Sequence, residues 1–464
     1  MKCKECKHPN PAKARFCNRC GATLGKETEP ARSTVRAGSG GAALGKSVAA
    51  GKKGVAVGRD VHGGVRVNSP TIVQRVSASS SPRALLRGYL DALVRECAPL
   101  RLKTIDQRAA GPSREPLGLT SVYVDLNLEW RISAKMSLKK LLSKMRRGES
   151  IRTRFVPESG TSRLVPALEA LASFPHMALL GAPGSGKSTL STYVVLALAE
   201  TRLGSRRALG RLGPWWSFGA LVPMRIVLRQ FAASLPQSLE RGRAKHLWDF
   251  IDADLANCGL PSQTGTALRR IVQKEGAFWI LDGLDEMKDP TIRARVAEAV
   301  SEFVDQAPTS FRFLLTSRPY AWEEMEQIVA TAVDPHPDRG AYANLLSSFP
   351  TTQRLADFEP QQMQTFIERW YRAISALGWI SAKDAREKAP ELQGAVQRDD
   401  HRPLARNPLL LTLMATLHSN RTRLPDDRAD LYNEVVELLL QRWNETIGAD
   451  RGLLDALQVP SLKL

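Results

Sequence analysis

Eight consecutive residues, Gly181-Ala-Pro-Gly-Ser-Gly-Lys-Ser188, bring together three glycines, a lysine and a hydroxyl at the GxxxxGK[ST] spacing. That combination suits the holding of a polyphosphate. The glycines let backbone N–H groups turn inward around phosphate oxygens, and a following helix offers its N-terminus to the same anion. Lys187 is placed to reach the β and γ phosphates, and Ser188 to ligate Mg²⁺. The nucleotide-contacting set read from this run is Gly181, Ala182, Pro183, Gly184, Ser185, Gly186, Lys187, Ser188 and Thr189.

Carboxylates that would serve such a site lie a hundred residues on. Ala277-Phe-Trp-Ile-Leu-Asp282 is an apolar run that ends on an acid, the pattern of a buried strand delivering a carboxylate to a metal. Asp282 is therefore expected to bind Mg²⁺ together with Ser188. Asp285 and Glu286 follow where a base could polarise the attacking water. Glu286 is favoured as that base, with Asp285 supporting the metal's ligands, but their order stays open, and both could instead cap a helix starting near Pro290. Phe311 to Ser317 is a third apolar run, ending at Arg318-Pro319. If its strand lies beside the one before Gly181, Arg318 points toward the γ phosphate and reports hydrolysis.

A second chemistry stands at the start of the chain. Cys3, Cys6, Cys17 and Cys20 form C-x2-C-x10-C-x2-C, two tight pairs that would wrap a tetrahedral Zn²⁺. So short a segment needs the metal's binding energy to fold, and four thiolates leave no open position for catalysis. Cys97 and Cys258 are isolated and read as small buried hydrophobes.

These residues must be positioned by elements that the same sequence signals. His176 to Leu180 reads as the strand entering the glycine loop, Leu190 to Leu203 as the helix leaving it, and Leu221 to Leu228 as a further strand. Ser81 before Pro82 starts an amphipathic helix carrying Leu85, Leu86, Tyr89, Leu90 and Leu93. Val122, Val124, Leu126 and Leu128 alternate with polar residues as a half-buried strand should. Leu138 to Met145 marks a helix with a basic outer face. Met363, Phe366, Ile367, Trp370 and Tyr371 follow helical spacing, as do Leu431, Val435, Leu438, Leu439 and Trp443, and their aromatics are expected in the core. Residues 22–44 read as linker, and Ser47 to Val67 either as short Gly/Val strands or as flexible chain.

Net charge is +19 over 464 residues, and all of it precedes the glycine loop. Residues 1–80 hold fifteen Lys and Arg against four Asp and Glu, residues 81–160 hold sixteen against eight, and the rest cancel. A basic arm of this kind fits nucleic acid or another polyanion, or else a solubilising arm. With no apolar run of about 18 residues and no hydrophobic signal region, a cytoplasmic location and no membrane span are expected.

Leu281-Asp-Gly-Leu-Asp-Glu-Met287 resembles the DGxDE signature of NACHT-type signal-transduction ATPases, a branch of the STAND class. Leu315-Thr-Ser-Arg-Pro319 is similar to that family's sensor strand, and Asn407-Pro-Leu-Leu-Leu-Thr-Leu-Met414 to its helical-subdomain motif. The resemblance runs from about Ser81 to Trp443. It implies an α/β fold: a P-loop NTPase with a parallel sheet, AAA+-like, followed by a helical lid subdomain, with the small zinc ribbon in front. It also carries a role over to Pro408, packing on adenine. The organisation expected is a zinc ribbon at 1–25, a basic Gly-rich linker at 26–80, a basic α/β segment at 81–160, the NTPase core at 161–358 and the helical lid at 359–464. Members usually continue into a winged helix and a repeat array. None is visible before Leu464, so the sensor is missing, supplied by a partner, or lost from a fragment.

The resemblance implies a switch in which ADP holds the lid closed and ATP opens it for self-association, in bacterial members for anti-phage defence. A zinc-ribbon regulator that binds nucleic acid through basic residues 1–160, with the ATPase modulating it, is the competing reading. A small-molecule kinase finds no second-substrate pocket to support it, and GTP finds no [NT]KxD motif. The cofactors expected are ATP or ADP, Mg²⁺ and Zn²⁺, and the trigger is not legible.

Overall fold

The computed structural model describes residues 41–44, 47–50, 81–100, 116–131, 162–236, 238–287, 289–331, 336–420, 424–425, 427 and 429–434. The four cysteines of the zinc motif, the 138–145 helix and the 435–443 part of the last helical pattern lie outside them. The chain divides into two compact units, Met1–Ile72 and Val73–Leu464. In the first, strands β1 (Gly41–Leu44) and β2 (Ser47–Ala50) pair antiparallel, with Gly41 opposite Ala50 and Leu44 opposite Ser47. Gly41–Leu44 is therefore a strand where linker was expected. Its pairing with β2 supplies hydrogen bonds that composition does not display.

The second unit is mixed α/β, built on a seven-stranded sheet. Its strands are β3 (Asn127–Arg131), β4 (Ser162–Pro166), β5 (His176–Leu180), β6 (Val222–Val227), β7 (Ala277–Asp282), β8 (Phe311–Ser317) and β9 (Thr351–Leu355), in the spatial order β4-β3-β9-β5-β8-β7-β6. Five of them, from β9 to β6, run parallel, and β3 and β4 extend the β9 edge antiparallel. Parallel strands covered by helices on both faces should be apolar throughout. Every residue of β7 and β8 is buried. Trp279 of β7 sits edge-on to Phe303 at 4.7 Å and to Trp248 at 5.4 Å, anchoring this part of the core.

Arg312 is an exception to apolar filling in β8. Its Nη2 donates to the carbonyls of Leu171, Ala172 and Phe174 at 2.8–3.1 Å, and its guanidinium lies over the Phe218 ring at 3.8 Å. The cation thus caps the carbonyl end of the helix Ala167–Ser173, where a positive charge is favourable. Burial still lowers its pKa to about 10.

Helix Pro82–Cys97 begins as its sequence predicts, with the Ser81 hydroxyl accepting from the Ala84 N–H at 3.3 Å. It packs on helices Lys187–Arg202 and Gln263–Glu275. The strand expected across Val122–Leu128 is corrected. Leu119–Val122 forms a helical turn, Tyr123–Leu126 has no regular structure, and β3 starts only at Asn127. Tyr123, placed on the polar side by the alternation, is buried and stacks on Tyr193 with centroids 3.6 Å apart. Cys97 is buried as expected, but Cys258 is exposed, because it sits on the turn that closes helix Ala244–Asn257 before the left-handed Gly259. Trp370 and Tyr371 are in the core. No helix among the described residues is long and apolar enough to cross a membrane.

Candidate functional site

β5 ends at Leu180 and the chain turns at once into the glycine loop, which feeds helix Lys187–Arg202. Gly184 and Gly186 hold φ of 75° and 94°, a region costly for other residues. Space imposes the same choice: a Cβ on Gly184 would lie 2.7 Å from Asn407 Oδ1, and one on Gly186 2.9 Å from Leu126. The loop is therefore clamped from two sides, by the segment before β3 and by the start of helix Pro408–Asn420. Asn407 makes the second clamp. Its Nδ2 donates to the Pro183 carbonyl at 3.0 Å, its Oδ1 accepts from the Leu409 and Leu410 amides, and the Leu409 N–H donates to Gly184 O at 3.2 Å.

Lys187 Nζ folds back on the loop, donating to Gly181 O at 2.6 Å and Ala182 O at 3.2 Å. Desolvation lowers its pKa, while Asp285 opposes that shift. Ser185 Oγ is buried with no hydrogen-bond partner among the described residues, a donor left for a further acceptor in the loop. The first amides of a helix likewise have no intrahelical acceptor.

Sheet order brings the acids to this loop. β8 lies between β5 and β7, with Leu180 paired to Ser317 and Leu281 to Leu315. The carboxyl ends of all three strands therefore meet. Asp282 is 5% exposed; its Oδ1 accepts from Ser188 Oγ at 3.2 Å and Thr316 Oγ1 at 2.7 Å, and its Oδ2 from Arg225 Nη2 at 3.0 Å. Thr316 Oγ1 in turn accepts from the Gly283 amide at 2.8 Å. Asp285 is occupied differently. Its Oδ2 pairs with Arg318 Nε at 2.9 Å and its Oδ1 accepts the Arg318 backbone N–H at 3.0 Å, with the Asp285 side chain only 4% exposed. Glu286 is more open and lies 3.5 Å from Arg229. Neither acid caps the helix at Pro290, since Asp289 does so through the Thr291 and Ile292 amides.

Lys187, Arg225 and Thr316, with the acids, border one cavity of about 520 Å³, a volume suited to a small ligand, whereas Gly181, Ala182, Arg229 and Asn407 lie outside its lining. Ser188, Thr189, Asp282, Asp285, Glu286 and Arg318 line its polar side, with Pro408 beside Leu409 at one wall. Leu100, Val122, Tyr123, Val124 and Leu126 add apolar lining. A nucleotide fits this division, with phosphates on the glycine loop and a flat base on the apolar side. Ser188 and Asp282 supply adjacent hard oxygen donors of the kind Mg²⁺ takes. Sequence reading gave no role at the site to Arg225, Arg229 or the apolar lining, and quoted Asn407 only within a motif, without its clamp on the loop. Arg225 had a signal, since a cation in the middle of the apolar run Val222–Val227 needs a buried partner.

Residues 170–318 match the family model described as Nephrocystin 3, N-terminal. That window contains the glycine loop, Asp282, Asp285 and Glu286, and closes on Arg318. No curated protein matches the chain. Among solved structures, C. elegans PCH-2 is similar over 60% of this chain and 66% of that one, slightly under two thirds of its length, at 12% identity and a TM-score of 0.29.

Proposed function

We propose that the chain is a Mg²⁺-dependent ATPase that acts as a nucleotide-controlled switch of NACHT type. The observation that carries this is the convergence on Asp282: the hydroxyl of the glycine-loop Ser188 and that of Thr316 on the intervening strand share one carboxylate oxygen. Bound ATP and Mg²⁺ would supply the phosphoanhydride and the divalent charge. The glycine-loop amides and Lys187 hold phosphate oxygens, and Ser188 and Asp282 hold the metal. Both oxygens of Asp285 are engaged by Arg318, so Asp285 orients Arg318 toward the phosphates and Glu286 is left to take the proton of the attacking water.

Residues 161–358 form the NTPase core in this reading, and residues 359–464 a helical lid. Asn407 and Leu409, hydrogen-bonded to Pro183 and Gly184, make the lid sensitive to the shape of the phosphate loop, and Pro408 meets the base. Opening would expose a surface for self-association in the cytoplasm, in a bacterial setting for anti-phage defence. Cys3, Cys6, Cys17 and Cys20 would bind a structural Zn²⁺. The charge surplus before residue 161 favours a second reading, a nucleic-acid-binding regulator whose ATPase modulates binding.

Lys187→Ala tests the site. Loss of the ammonium should abolish ATP binding or turnover, read by fluorescent-nucleotide titration and phosphate release. Unchanged affinity and turnover would overturn the assignment.

A further inference from the structure

Two helices that border the nucleotide cavity reach a second cavity at their other ends. Its volume is about 980 Å³, and it lies where the start of helix Pro82–Cys97, the end of Lys187–Arg202 and the last turns of Gln263–Glu275 meet. Arg83, Arg87, Arg202, Arg270 and Lys274 line it, against one carboxylate, Glu275. Glu275 is already ion-paired with Arg202. The other four cations are exposed and make no ion pair with a described residue.

Their spacing narrows the ligand. Arg83 and Arg87 are four residues apart on one helix, Arg270 and Lys274 four apart on its neighbour, so each pair spans about 6 Å of helix axis. Two such pairs offer more positive charge, over a longer path, than a single inorganic phosphate can meet. They suit successive phosphates of a strand. The site is concave, which admits a strand and not the flat face of a bilayer. The positive end of helix Pro82–Cys97 points into the same space. We propose that this cavity is a phosphate-backbone site for nucleic acid.

The proposal shares its partner class with the second reading above, and Arg83 and Arg87 with its basic segment, but three of its five cations, Arg202, Arg270 and Lys274, lie beyond residue 160. It is tested on the full chain with a labelled 20-base single strand and a 20-bp duplex, titrated between 50 and 200 mM salt. Four phosphate contacts on duplex DNA account for roughly a 100-fold loss of affinity over that range, from a slope near −0.9 per contact. The variant Arg83→Gln/Arg87→Gln/Arg270→Gln/Lys274→Gln should bind more weakly, with a slope shallower by about three to four. Its ATP binding should match wild type, which establishes that the fold is intact. An unchanged slope and affinity in a variant that still binds ATP overturns the cavity while leaving the basic N-terminal residues as the binding surface. No binding by wild type overturns both. A variant-dependent loss seen with inorganic phosphate or with anionic phosphatidylserine vesicles, but not with either nucleic acid, overturns the nucleic-acid assignment.

Discussion

Asp282 receives hydrogen bonds on both oxygens, and Asp285 and Glu286 differ sharply in what they touch. Those differences separate binding from chemistry. Glu286→Gln keeps size and removes the proposed base, so on that reading ATP should still bind while turnover falls by about 10²- to 10⁴-fold. Asp282→Asn should weaken Mg²⁺-dependent binding as well as turnover. Asp285→Asn should loosen Arg318 and reduce turnover without trapping ATP. Single-turnover hydrolysis and nucleotide affinity on the three variants decide the order, and tight binding with no turnover in Asp285→Asn alone would name that residue as the base. Arg225 gives a second test. Arg225→Met leaves a buried carboxylate short of its cation, and losing one partner of a buried pair costs about 3–5 kcal/mol. Two hydroxyls still serve Asp282, so the cost should fall toward the lower end of that range. The melting temperature without nucleotide should drop by several degrees, and the rise on adding Mg²⁺ and ATP should exceed that of wild type.

The segment Leu119–Arg131 shows why an alternating pattern can mislead. Val122, Val124, Leu126 and Leu128 have the period of a strand, yet only the last lies in one, because the stretch before it must cross the glycine loop and offer Leu126 to Gly186. Tertiary contact outweighed local pattern there. β5, β7 and β8 were legible to within a residue because their buried, continuous apolar runs have few alternatives. The glycine loop and Asp282 were legible because their chemistry is local. Arg225 and Asn407 were not, since each acts on a partner 57 and 224 residues away. Asp125 in the crossing segment carries a pH prediction. Burial raises its carboxyl to about 6 against an ordinary 3.8, even though the Tyr123 hydroxyl donates to it at 3.2 Å. The folded state therefore holds this proton more tightly than the unfolded chain. Its contribution to stability is complete below about pH 4 and lost as the pH rises through 6. Asp125→Asn should raise the melting temperature at pH 7, by on the order of 1–3 kcal/mol of stability, and the gain should vanish toward pH 4.

At the scale of the whole molecule, the division between Met1–Ile72 and Val73–Leu464 lets the two expected metals be tested apart. Purified protein should carry about one Zn²⁺ by elemental analysis, and Cys17→Ser should lose it without changing ATP affinity or the main thermal transition. Metal-free wild type with oxidised cysteines would count against the ribbon. Within the larger unit, the hydrogen bond from Asn407 to Pro183 closes a span of 224 residues. On a ribosome adding about 5–20 residues per second, the glycine loop emerges some 10 to 45 seconds before the residue that clamps it. A nascent chain at that stage has the glycine-loop sequence but not the clamp that Asn407 makes on it. Nucleotide would therefore meet the clamped form of the loop only once the segment carrying Asn407 has been made.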